Sequence, residues 1–92
     1  MPSQVRDNSE RHRFELEVDG HLAFANYKRD GALITFMHTE VPKELGGRGI
    51  GSALVRGALD IARARGLKVA AQCPFVVAYL DKHPEYADSV DG

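Results

Sequence analysis

Between Gly46 and Gly51 the chain carries four glycines in six residues, and the apolar run Ile50-Gly51-Ser52-Ala53-Leu54-Val55 starts before that stretch ends. A glycine-rich turn that leads straight into a helix brings backbone close to a ligand and leaves amide N–H groups free at the positive helix end, which suits a phosphate. Arg48 adds a fixed positive charge inside the turn. A flexible loop ahead of a structural helix is the competing explanation, because glycines alone are a weak motif. A nucleoside-triphosphate loop needs Lys-Ser/Thr after its last glycine, whereas Gly51 is followed by Ser52-Ala53. A dinucleotide fingerprint needs a third small residue and an acidic strand end downstream. Counted from Gly49 the third position is Leu54, and counted from Gly47 it is Ser52 with no acidic strand end after it.

The segments on either side of the turn set the fold class. Phe14, Leu16 and Val18 alternate with Glu15 and Glu17, the period of a strand with one buried face, and Asp19-Gly20 is a two-residue hairpin signal. A return strand is predicted over about 21–28, a turn at Arg29-Asp30-Gly31, and a third strand over about 32–39, rich in Leu33, Ile34, Thr35 and Phe36. A helix is predicted over about 50–65, with Ile50, Leu54, Ala58 and Ile61 at helical spacing and Gly66 as its left-handed cap. The short apolar stretch 67–72 reads as a strand parallel to the third, because a helical crossover favours that geometry. Pro74 opens a second helix that ends at Lys82 or His83, before Pro84. The predicted class is α/β, a mixed sheet with element order βββαβα.

Val41 to Val55 resembles the acetyl-coenzyme A pyrophosphate loop of the GNAT acyltransferase superfamily, whose pattern is Gln/Arg-x-x-Gly-x-Gly/Ala. The last two glycines fall on Gly49 and Gly51, and the first position falls on Gly46, a departure that removes one side chain from the loop. Cys73-Pro74-Phe75-Val76-Val77-Ala78-Tyr79-Leu80-Asp81-Lys82-His83-Pro84-Glu85-Tyr86 resembles the signature of a small, single-domain GNAT-like subfamily. The resemblance spans roughly residues 13 to 87 and implies an abbreviated GNAT-like fold that binds acetyl-CoA and passes acetyl to an amine. Gly46, Gly47, Arg48, Gly49, Ile50, Gly51 and Ser52 would cradle the pyrophosphate, and backbone N–H groups from Thr39 to Val41 would meet the pantetheine arm and the thioester oxygen. Full-size members carry further helices and strands that wall the acceptor site.

Cys73 sits at a strand end and a helix start, where the partial positive charge lowers a thiol's pKa. The resemblance points to this cysteine together with His38 on the preceding strand. On a regular strand His38 shares its face with Phe36 and Ile34 while Thr39 points the other way. A Cys73–His38 pair would carry acetyl covalently, or His38 alone would act as base. A buried thiol beside a hydrogen-bonded histidine is the plainer reading of the same residues. Glu40 is the alternative base, against the simpler role of a solvated strand-end carboxylate. His83 and His21 read as surface residues, Tyr79 as core.

At 92 residues the chain is one domain, with 43% hydrophobic and 27% charged residues, ordinary for a globular protein. A net charge of −1 gives no global reason to expect nucleic acid or an anionic membrane as partner. The single cysteine excludes an internal disulfide and offers no zinc-ligand spacing, so no metal site is expected. No segment reaches the roughly eighteen apolar residues of a membrane span, and the first residues lack a signal-peptide core, so a cytoplasmic location is expected. Residues 1–12 and 88–92 are expected to be mobile tails around a domain at 13–87. The expected partner is an amine acceptor, an open protein or peptide surface in preference to an enclosed small molecule, on a monomer or weak dimer. A coenzyme A or acyl-CoA binding module without catalysis is the alternative function.

Overall fold

The computed structural model describes residues 4–90. Five strands, β1 (Arg6–Asn8), β2 (Arg13–Val18), β3 (His21–Asp30), β4 (Leu33–Glu40) and β5 (Lys68–Ala71), form one sheet in sequence order. The first four run antiparallel and β5 lies parallel to β4. Helix α1 (Ile50–Ala64) makes the crossover and α2 (Pro74–Lys82) follows β5. The α/β class and the order expected from the sequence are present, with one strand added at the front.

Local chemistry accounts for each element. Asp19 and Gly20 both have positive φ (51° and 78°), the mirror-image turn that matches strand twist, so β2 and β3 close in two residues. Leu54, Val55, Ala58, Leu59 and Ala62 form the buried stripe of α1, and the small Ala23 and Ala25 on β3 let the helix approach the sheet. Removing a side chain such as Leu54 from this layer costs about 2–5 kcal/mol. After α1 the N–H groups of Gly66 and Leu67 bond the carbonyls of Arg63 (3.0 Å) and Ala62 (2.9 Å), a Schellman closure with Gly66 left-handed at φ 72° as predicted. Phe14, Leu16, Ile34, Phe36 and Val69 of the sheet complete a core shared with Val76 and Tyr79 of α2. Both helices contribute to this one core, and the opposite sheet face carries no helix among the described residues.

Both predicted tails need correction where they are described. Residues 1–3 and 91–92 lie outside the described residues. Within 4–12 the chain forms β1 and a 3-10 turn, Ser9–Arg11. The force that recruits β1 is electrostatic. Glu15 points to the helix-free face and accepts from Arg13 (2.7 Å), Asn8 (3.0 Å) and Arg6 (3.2 Å), so its carboxylate is 3% exposed yet satisfied. Burial alone would raise its pKa, but these donors outweigh it and hold the group below its ordinary value. Val5 then packs against α1 where a Cβ on Gly57 would collide with it. At the other end a 3-10 helix, Pro84–Ser89, buries Tyr86, whose hydroxyl donates to Asp60 at 2.7 Å, and Val90 bridges Val69.

Candidate active site

The glycine turn is anchored by Leu45, which is buried at the end of a short 3-10 helix, Lys43–Leu45. Gly47 and Gly49 follow at φ 75° and 70°, where a side chain would be strained. The N–H of Ala53 makes the first bond into α1, to the Gly49 carbonyl at 3.0 Å, so the amides of Ile50, Gly51 and Ser52 head the helix without intrahelical partners. These groups border a cavity of about 280 Å³ lined also by Val41, Gly46 and Phe75, with no acidic side chain. A Cβ on Gly51 would sit 2.8 Å from Phe75 Cζ, so glycine there lets the Phe75 ring close over the helix start. A Cβ on Gly46 would come within 3.2 Å of the Lys43 carbonyl, which is a local reason for glycine at that position. The cradle therefore fits a pyrophosphate: open amides, a positive helix end and no opposing charge. Arg48, expected to add its charge to the turn, has its Nη1 bonded to Asp19 Oδ2 at 2.8 Å on the β2–β3 turn, both side chains being exposed.

Beside this cradle β4 and β5 part. Their ladder ends at Phe36 opposite Ala71, and the Phe36 carbonyl accepts the N–H groups of Gln72 (2.8 Å) and Cys73 (3.3 Å) before the chain turns into α2. Met37 to Glu40 continue with β3 as their strand neighbour, so the cleft-side edge of this stretch has no strand beside it on the β5 side. Within this stretch lies a β-bulge. Asn26 pairs with His38 and Tyr27 with Phe36, so Met37 is the extra residue. The inserted residue reverses the alternation beyond it. Thr39, opposite the buried Ala25, comes to the helix face with Phe36, and His38, opposite Asn26, goes to the helix-free face.

That reversal decides what meets Cys73. Its thiol is 5% exposed and lies 3.5 Å from Thr39 Oγ1. Burial would push the thiol up, but the Thr39 hydroxyl and the backbone N–H groups of Val76, Phe75 and Thr39 outweigh burial and hold its pKa below the ordinary value. His38 is not among these groups. It lies 3.2 Å from Glu40 Oε2, and both side chains are 61% exposed. The Cys73–His38 pair to which the resemblance pointed is thus not in contact, the two side chains lying on opposite faces of the sheet. Two separate constellations stand in its place, Cys73–Thr39 on the helix face and His38–Glu40 on the other, with the β4 edge between them.

The profile described as GCN5-related N-acetyl-transferase matches residues 13–89. The chain belongs to this family. It is 31% identical over 86 residues to Protein NATD1 of Gallus gallus, covering 90% of this chain and 78% of that one. Protein NATD1 of Homo sapiens is 30% identical over 86 residues, covering 90% and 76%. The solution structure of a GCN5-like protein of Staphylococcus aureus superposes with a TM-score of 0.73 at 32% identity, covering 97% of this chain and 88% of that one. The family and its fold support an acyl-transfer function in general terms.

Sequence reasoning singled out the glycine turn, β4 and Cys73, which the fold places near one another, and it did not single out two neighbouring side chains. Thr39 was expected to offer its backbone to the ligand, yet its hydroxyl is also a partner of the thiol. Phe75 roofs the cradle from the first turn of α2, and the only sequence signal for it is its place next to Cys73-Pro74.

Proposed function

We propose that this protein is an acetyl-CoA-dependent N-acetyltransferase whose acceptor is an amine on a protein or peptide surface. The observation that carries the proposal is the Met37 to Glu40 stretch, which has no strand on its β5 side and is followed along the chain by the glycine turn whose open amides head α1. Acetyl-CoA supplies an activated acetyl group as a thioester. The amides of the Gly46–Ser52 segment bind the pyrophosphate, and the β4 edge from Thr39 to Val41 aligns the arm and polarises the carbonyl. The paired His38 and Glu40 side chains take the proton that the amine loses as its nitrogen–carbon bond forms and the carbon–sulfur bond breaks. The helix-free face beside them has no side walls among the described elements, which favours an acceptor presented on a macromolecule.

A covalent version has its own support in the lowered pKa of Cys73. Here Cys73 Sγ takes the acetyl, its proton leaving with the cofactor thiol, and the amine then displaces it and returns a proton to sulfur. The donors Thr39, Phe75 and Val76 then activate the thiol without a histidine. Intact-protein mass spectrometry after incubation with acetyl-CoA, beside Cys73→Ala, tests both. A cofactor adduct under native conditions supports the binding site. An acetyl mass that survives denaturation only when Cys73 is present supports the covalent version. A native adduct with no turnover on any amine peptide would favour a binding module, and no adduct at all would remove the acetyltransferase proposal.

A further inference from the structure

At the end of the sheet remote from the β4 cleft lies a second cavity of about 820 Å³, within the size range of small-molecule sites. Asp7 of β1, Tyr27 to Arg29 of β3, His12 before β2 and Arg65 just past α1 line it. Two arginines, Arg29 and Arg65, therefore face one carboxylate, and that carboxylate is already committed. Asp7 Oδ1 accepts the Tyr27 hydroxyl at 2.6 Å and Oδ2 accepts Arg65 Nη1 at 2.6 Å. Arg29 is fixed as well, its Nε and Nη2 donating to the Gly31 carbonyl at 3.2 and 3.0 Å. A guanidinium carries five N–H donors, so both arginines keep donors beyond the bonds that hold them.

The wall opposite these charges is aromatic. His12 is a non-glycine residue at φ 53°, kept there because its N–H bonds the Ser9 carbonyl (3.2 Å) and its carbonyl accepts the Tyr27 N–H (2.9 Å). Its ring stacks toward Tyr27 at 6.3 Å between centroids and 16° between planes. Preset cations beside a flat ring surface select a ligand that joins a phosphate to a planar ring. None of the residues lining this cavity belongs to the glycine cradle or to the Met37–Glu40 half of β4.

We propose that this cavity is a second ligand site, for a nucleoside monophosphate or a phosphorylated ligand of the same class, with phosphate on Arg29 and Arg65 and the ring against His12. The site is independent of what the β4 cleft binds. The test is a titration of the isotope-labelled full chain, followed by backbone amide shifts, with AMP, inorganic phosphate and adenosine, each with and without coenzyme A. AMP should shift Lys28, Arg29, Gly31, His12 and Arg65 whether or not coenzyme A is present. Arg29→Gln and, separately, Arg65→Gln should each weaken AMP about tenfold while leaving the remote parts of the spectrum in place. His12→Ala should weaken AMP and leave inorganic phosphate unchanged. Shifts confined to the 46–52 loop, no shifts at millimolar AMP, or wild-type affinity in both charge variants would overturn the site. Equal affinity for AMP and inorganic phosphate would overturn the planar-ring class.

Discussion

The two halves of β4 differ in residues, in burial and in neighbours. From Leu33 to Phe36 the strand is hydrogen-bonded on both sides, with Ile34 and Phe36 fully buried. From Met37 to Glu40 it keeps one neighbour, lies largely exposed, and presents polar side chains to both faces of the sheet. One inserted residue and the early end of β5 account for the contrast. A strand segment becomes a ligand wall when its partner stops short, and a bulge chooses which side chains look into the gap.

Deleting Met37 attacks that contrast directly. The regular ladder would return with Thr39 still opposite Ala25 and facing Cys73, but the edge beyond Phe36 would lose the kink of the bulge, and that misalignment should lower cofactor affinity and turnover by about a hundredfold, read by calorimetry and a steady-state assay. Intact affinity in this variant would show that the bulge is incidental. Gly49→Val asks whether the second half of β4 matters only with its neighbouring cradle. Forcing a branched residue at φ 70° costs about 1–2 kcal/mol of stability and should reduce coenzyme A affinity at least about tenfold. A thermal melt beside a binding titration separates the two effects.

A paired substitution sharpens the comparison at one atom. Thr39→Val removes the hydroxyl beside Cys73, so the thiol pKa should rise and its alkylation rate at neutral pH fall severalfold, with the rate-versus-pH inflection moving upward. Thr35→Val, in the first half and opposite Lys28 on the other face, should leave that profile unchanged. The smallest effect is expected from Asp19→Asn. Freeing Arg48 from an exposed ion pair should tighten coenzyme A about twofold to threefold, with stability altered by less than about 0.5 kcal/mol. Weaker binding would mean that Asp19 helps to hold the loop in shape.

The comparison also marks what could be read in advance. Strand alternation at Phe14 and Leu16, the Asp19-Gly20 turn, the α1 stripe and the Gly66 stop are local signals, and the matching elements form. Element β1 carries no such signal, because Arg6, Asp7 and Asn8 pair with β2 through the buried charge of Glu15, a contact across the sheet. The bulge was invisible for a similar reason. Nothing in Phe36-Met37-His38-Thr39 says that two residues will oppose one step of β3, so regular alternation assigned His38 to the wrong face. The Arg48–Asp19 ion pair was equally hidden, because Asp19 lies 29 positions away in the chain.

The short, charged β1 has a further consequence for the protein in a crowded solution. A bare sheet edge invites another chain to add a strand, and proteins blunt it with brevity and charge. Here one outer edge is the three-residue Arg6–Asn8, and the other is a four-residue strand touched by Val90 and by the Lys68–Asp88 contact. Each outer edge is a poor template for fibril growth. The longer unsatisfied edge is recessed in the β4 cleft, so the main capacity for strand addition is turned inward, toward a narrow guest.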